Sequence, residues 1–150
     1  MKTQFKENIA RLEPELAALI RRADMVYRHQ DYPLERAHYL LLGCLEHGEK
    51  NAREIAAILG LDHSTVVRQV TAVESRCLVE RLPNLKDRRS VLVRITVEGG
   101  RQLAQMRALR RTRYEEVLVG WTAADLQQLA SLLGRFNADL MHAYSVLGED

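Results

Sequence analysis

LVERLPNLKDRRSVLVRITVEG, residues 78–99, is where the chain changes its period. Val91, Val93 and Ile95 alternate with Leu92, Arg94 and Thr96, and a period of two suits a strand. LVERL is the expected partner strand, joined to it through a loop at Pro83 and Asn84. The tip of this exposed hairpin gathers Lys86, Arg88 and Arg89 around one acid, Asp87. Elsewhere apolar residues recur every three or four positions, the period of helices.

Working upstream, Asp62 is placed to cap a helix that carries an apolar stripe of Val66, Val70 and Val73 and ends near Arg76. Asn51 with Glu54 three residues on resembles a capping box for a short helix to Leu59, which Gly60 stops in a left-handed conformation. Two helices joined by a tight turn and followed by a basic hairpin describe a helix-turn-helix with a wing. A helix over 34–46 precedes it, with Pro33 in its first turn. A long helix over 5–30 opens the chain; Pro14 removes one of its hydrogen bonds, so a kink or restart is expected there. Downstream, Thr96 caps a helix over 97–119. Thr122 with Asp125 opens a last one, with Leu126, Leu129, Leu132, Leu133 and Phe136 facing a core. The expected fold is therefore mainly α with a small β component: six helices and a short β-hairpin wing.

The chain has 150 residues, of which 47% are hydrophobic and 28% charged, as in an ordinary folded domain. No apolar run approaches the roughly 18 residues of a membrane span, and MKTQFKENIA lacks the apolar core of a secretory signal. The expected location is cytoplasmic, with no membrane partner. The net charge of +2 conceals an asymmetry: residues 51–94 hold eight cations against five anions, while both flanks are balanced or slightly acidic. That is modest support for an anionic partner.

A helix fits the major groove of DNA, and the side chains of its first turns reach base edges. On the helix begun by Asp62 these are His63, Ser64, Thr65, Arg68 and Gln69. Arg68 suits a bidentate contact to guanine, Gln69 one to adenine, and Ser64 and Thr65 suit phosphate or bases. The plainer alternative is a solvated polar face. The hairpin favours DNA, because a narrow loop bearing Arg88 and Arg89 can reach the adjacent minor groove. Asp87 is expected to orient the Arg89 guanidinium by a charge-assisted bond.

LDHSTVVRQV followed by LVERLPNLKDRRSVLVRITVEG resembles the MarR family of bacterial winged-helix transcription regulators. The likeness rests on Asp87-Arg88-Arg89 in the wing, then SVLVRIT and a glycine, and extends to TAADLQQLASLL near the end. It implies an intertwined homodimer whose first, fifth and sixth helices interlock. Residues 34–96 would form the DNA-binding unit, and 1–33 with 97–150 the helical dimerisation unit. It further implies a double-stranded pseudo-palindromic operator and repression relieved by a ligand. Ser64, Thr65, Arg68 and Gln69 would be recognition residues, Arg89 the minor-groove residue and Asp87 its orienter. One departure is Cys77, where relatives commonly carry glycine; at positive φ a cysteine is strained.

Relatives of this kind often bind small aromatic or phenolic anions, and Arg11, Tyr27, His38 and Tyr39 offer ring faces, polar tips and a carboxylate fork for one. Ordinary packing with a satisfied polar tip is the alternative for each. Thiol-based redox sensing is a second route to a signal, with Cys77 beside cations and Cys44 reading as a buried apolar residue. The histidines are scattered, so no metal site is expected, nor any cofactor. No catalytic motif of a hydrolase, nucleotide-binding enzyme or dehydrogenase is found, so an enzyme is not expected. A winged adaptor that binds protein instead of DNA is the other alternative.

Overall fold

A computed structural model describes residues 1–28 and 31–147, with side chains to residue 143. The described residues form six helices and three strands: α1 Lys2–Arg28, α2 Arg36–Cys44, β1 Lys50–Asn51, α3 Ala52–Leu59, α4 His63–Ser75, β2 Val79–Pro83, β3 Val91–Ile95, α5 Val97–Val117 and α6 Ala123–Leu147. Two compact units are present, Met1–Arg110 and the chain from Arg111 on.

Short side chains define the element ends. Asn51 Oδ1 accepts from Arg53 and Glu54 N–H, and Glu54 Oε2 accepts from Asn51 N–H at 2.7 Å, closing the capping box of α3. Gly60, at φ 63°, ends it. Asp62 caps α4 by accepting from Thr65 N–H at 2.8 Å. Thr96 Oγ1 accepts from Gly99 N–H at 3.0 Å and caps α5. In the second unit, Thr122 and Asp125 bond reciprocally at the start of α6. Along α6, Leu126, Leu129, Leu132 and Leu140 stay 36–47% exposed in the single chain.

The sheet orders its strands β1-β3-β2, all antiparallel. In β2–β3, Val79 pairs with Ile95 and Pro83 with Val91, which fixes a seven-residue wing loop over 84–90. Strand β1 was not expected, because two residues carry no readable period. Lys50 and Asn51 pair with Val93 and Leu92. Helix α2 starts two residues later than expected. Leu34 is 1% exposed, and its carbonyl accepts from the Tyr27 hydroxyl at 3.0 Å, so it anchors the loop before the helix. Helix α1 runs unbroken through Pro14 rather than restarting. One missing backbone bond is tolerated when the residues on both sides remain helical. The expected end of α1 at residues 29–30 lies outside the described residues.

The core of the first unit packs Leu34, Leu41, Leu42 and Leu45 against Ile55, Val66, Val70, Val73, Leu78, Val79 and Val93, with Leu103 and Met106 from α5. Full burial of such side chains contributes roughly 1.5–3 kcal/mol each. The three valines of α4 are all at 2% exposure or less, which fixes which side of that helix is left outward.

Helix α4 ends in a Schellman turn. Leu78 N–H bonds to Val73 O at 3.0 Å and Cys77 N–H to Glu74 O at 2.8 Å. Cys77 occupies the left-handed position at φ 58°, as the departure from glycine implied. A side chain there costs about 1–2 kcal/mol. Cys77→Gly is therefore expected to stabilise the protein by about 1 kcal/mol in urea denaturation, after glycine's added unfolded-state entropy is allowed for. A loss of stability would show that the thiol makes up for the strain.

Gly99 has the opposite requirement. A Cβ there would lie 2.0 Å from Leu78 O and 2.9 Å from Ile95 Cγ1. Backbone cannot yield as a flexible side chain can, so α5 would have to lift from the sheet. Gly99→Ala is expected to destabilise the fold by about 3 kcal/mol or more, the upper end of overpacking costs. A loss under about 0.5 kcal/mol at matched protein concentration, the range of neutral surface changes, would contradict this.

Candidate nucleic-acid interface

The outward side of α4 and the wing flank one groove of about 950 Å³. His63 lines it from α4, Arg53 from the first turn of α3, Arg81 from β2, and Asp87 and Arg89 from the wing. Of the residues singled out in the sequence, His63, Asp87 and Arg89 line this groove, while Ser64, Thr65, Arg68, Gln69 and Arg88 do not; Arg53 and Arg81, not singled out there, line it too. Val67 and Thr71, also in the lining, were missed as well. Their signal was available, since Ser64, Val67, Arg68 and Thr71 follow helical spacing on the side opposite Val66, Val70 and Val73.

The first turn of α4 is tied to its cap. Ser64 Oγ donates to Asp62 Oδ1 at 2.6 Å, and Thr65 Oγ1 donates to Asp62 Oδ2 at 2.7 Å. The Ser64 and Thr65 hydroxyls and the Thr65 N–H hold the Asp62 carboxyl well below the usual carboxylate range. Both hydroxyl protons are engaged, so Ser64 and Thr65 present lone pairs outward. In this pose the two hydroxyls can accept hydrogen bonds but not donate further ones. Arg68 Nη2 bonds to Thr65 Oγ1 at 3.3 Å, which draws the guanidinium back over the same turn. Gln69 departs from its expected outward pose: it is half-buried, and its Oε1 is covered without a partner. Helical spacing sets it beside the buried Val66 and Val73, three and four residues away, which explains the covering.

The wing loop is held by its own side chains. Asn84 Oδ1 accepts from Lys86 N–H at 3.0 Å, and Asn84 Nδ2 donates to Ser90 Oγ at 2.7 Å. Asp87 Oδ1 accepts from the backbone N–H of Arg89 at 3.0 Å, not from its guanidinium. The acid therefore shapes the loop and leaves the Arg89 side chain projecting, contrary to the expected charge-assisted pose. Lys86, Arg88 and Arg89 are exposed and have no carboxylate partner among the described residues. Leu85 at the tip is 93% exposed.

Charge is sorted by these partnerships. Glu80 takes Arg94 in a two-pronged bond at 2.8 and 3.0 Å, and Glu74 takes Arg81 at 3.0 Å. Glu54, Asp62 and Asp87 hold backbone N–H groups. All five acids of residues 51–94 thus have internal partners, and the guanidiniums of Arg53, Arg68, Arg88 and Arg89 have no acid among them.

The expected ligand residues are brought together only in part. Tyr27 and Tyr32 rings lie 5.1 Å apart, and the Arg110 guanidinium sits 5.9 Å from the Tyr27 ring centre and 5.0 Å from that of Tyr39. Burial pushes the Tyr27 hydroxyl up to about 12. His38 is 8% exposed, its Nδ1 lacks a partner, and burial lowers its pKa. Arg11 is exposed and does not join them, being sixteen residues before Tyr27 on α1, or about 24 Å along a helix. Arg110, which the sequence reading passed over, supplies the cation of this cluster. Cys44 is half-buried and Cys77 exposed; burial raises the pKa of Cys44. No described helix is long and apolar enough to cross a membrane.

Comparison with known proteins agrees with this geometry. The MarR family model matches residues 34–91. An uncharacterised helix-turn-helix transcriptional regulator of Bacillus subtilis, YxaD, is 36% identical over 139 residues, covering 89% of this chain and 96% of that protein. The apo crystal structure of MarR from E. coli superposes with a TM-score of 0.59 at 26% identity, over 67% of this chain and 75% of that one. A MarR family protein from Bacillus stearothermophilus shares the fold at a TM-score of 0.77 and 20% identity, over 90% and 96% of the two chains. The chain belongs to the MarR family of winged-helix transcription regulators.

Proposed function

We propose that the protein binds a pseudo-palindromic operator in double-stranded DNA as a homodimer and represses transcription until a ligand releases it. The observation that supports this reading is the shared groove: α4 and the Arg89 wing flank one channel, and two of the arginines that line it, Arg53 and Arg89, have no acid partner among the described residues. In this reading α4 enters the major groove, with Ser64, Thr65 and Arg68 on base edges and His63 and Gln69 beside them. Arg88 and Arg89 follow the adjacent minor groove, and Asp87 holds their loop. Residues 34–96 act as the reading unit, and 1–33 with 97–150 as the dimerisation unit. The half-exposed leucines of α6 support the dimer, because a stripe of this kind calls for a partner surface. Two-fold symmetry would then set the reading helices about 34 Å apart, one turn of duplex.

A small aromatic or phenolic ligand is the favoured signal, and the Tyr27–Tyr39–Arg110 cluster beside His38 supports it. The PcaV regulator of Streptomyces coelicolor, similar in fold, has been crystallised with its natural ligand. Redox control through Cys77 is the second reading, favoured by the exposure of that thiol.

Selection of bound fragments from random DNA, followed by titration at several salt concentrations, tests the proposal. Two chains per site and a steep loss of affinity with rising salt are expected, since phosphate contacts release counterions. No DNA shift at low salt would leave a protein-binding adaptor instead. Arg89→Ala is expected to weaken binding to all related sites by roughly 1–3 kcal/mol, and unchanged affinity at physiological salt would remove the wing from the interface. Arg68→Ala is expected to alter the preferred base at one position per half-site; an equal loss on every sequence would make Arg68 a phosphate contact.

A further inference from the structure

The outward side of α4 carries an apolar side chain among polar ones. Val67 is 40% exposed, although Val66, Val70 and Val73 already serve the core. It lines the groove between α4 and the wing together with His63, Thr71 and three arginines. One turn along, Thr71 Oγ1 donates to Val67 O at 3.0 Å and accepts from Arg81 Nη2 at 3.0 Å. That hydroxyl has its proton and one lone pair engaged, so the methyl is the main group that Thr71 adds beside Val67. Arg81 is itself pinned by Glu74 at 3.0 Å, which makes the edge of this methyl stripe rigid.

Valine in a helix is confined to one χ1 rotamer, so the Val67 methyls are fixed before any contact is made. Among the four bases only thymine presents a methyl group in the major groove; the others offer donors or acceptors at their edges. Covering such a polar atom with Val67 would leave it without a partner, which is unfavourable. Resting on the reading of α4 as the major-groove element, we infer that Val67 reads the 5-methyl group of a thymine. Each half-site of the operator carries a thymine at the position facing it. Arg68 and the Ser64 and Thr65 lone pairs define neighbouring positions, and Val67 adds one that hydrogen bonding does not read.

The test uses the full chain and its selected operator, with thymines replaced one at a time by deoxyuridine, which pairs identically and lacks only the methyl. At one position per half-site the wild type should bind the uracil duplex about fourfold more weakly, the effect of burying one methyl-sized group. Val67→Ala should be indifferent to uracil there while keeping the wild-type response at other positions. Alanine is the better helix former and the site is exposed, so this variant keeps the fold. A wild type that binds its operator tightly yet ignores uracil at every position overturns the inference and leaves DNA binding standing. So does a Val67→Ala protein with undiminished methyl sensitivity. A chain that selects no operator at all overturns the DNA-binding reading, and this inference with it.

Discussion

Leu78 is the residue on which three elements converge. Its N–H closes the Schellman turn of α4 on Val73, its side chain is fully buried, and its carbonyl accepts from Thr96 N–H at 3.0 Å. That same carbonyl is the atom that Gly99 alone can approach. The end of α4, the base of the hairpin and the start of α5 are therefore fixed to one another through a single residue. The angle between α4 and the wing follows from it, and that angle decides whether both can flank one groove. Cys77 carries the strain of this arrangement at φ 58°, next to the point of convergence. Strained backbone persists where the surroundings over-determine it. Here the buried Leu78 and the bond from Thr96 Oγ1 to Cys77 O supply that determination.

The interface combines rigid donors with fixed acids. At the start of α4 a negative charge would by itself disfavour the anionic partner proposed. Asp62 is nevertheless favourable, because it satisfies the helix's first N–H groups and holds two hydroxyls in one orientation. Helix N-termini also favour a carboxylate electrostatically. In the wing Asp87 does comparable work on the backbone, so the acid near the arginines orders the loop without neutralising their side chains. An acid bonded to a guanidinium would have restrained the reader; an acid bonded to an N–H leaves it extended and available.

Much of this was legible in the chain. Caps are local, so Asn51 with Glu54, Asp62, Thr96, and Thr122 with Asp125 could be read from spacing alone. The hairpin announced itself by its change of period. What escaped reading was non-local or atom-level. Strand β1 exists only because β3 presents a free edge to two residues. Whether Asp87 bonds a backbone or a side-chain nitrogen is decided by loop geometry that spacing does not encode. Gln69 was assigned outward from its polarity, yet its angular position beside Val66 and Val73 covers it. Val67 and Thr71 line the groove without having been singled out, since an apolar side chain and a threonine on a polar face carry no signal by type alone. Arg110 lies more than seventy residues from Tyr39, and only packing brings the two together.

The same packing shows how a signal would travel in the proposed regulator. Helix α5 touches the reading unit through charged contacts as well as through Leu103 and Met106. Arg107 grips Glu46 after α2 with two bonds, at 2.5 and 2.9 Å, and that pairing holds the Glu46 carboxyl below the usual range. Arg76, at the end of α4, donates to Pro33 O at 3.0 Å and to Gln102 of α5 at 3.4 Å. Tyr27 of α1 donates to Leu34 O, one residue on from Pro33. The segment 33–34 is thus held at once by α1 and by the end of α4. A phenolic anion that drew Arg110 from the faces of Tyr27 and Tyr39 would loosen Tyr27, then the Leu34 carbonyl, then Arg76. The last of these sits at the end of α4, so in the proposed regulator displacements among the aromatic rings would reach that helix. Coupling of this kind needs an element with two discrete arrangements, and the short 33–34 segment, bonded on both sides, is where such an element would have to lie.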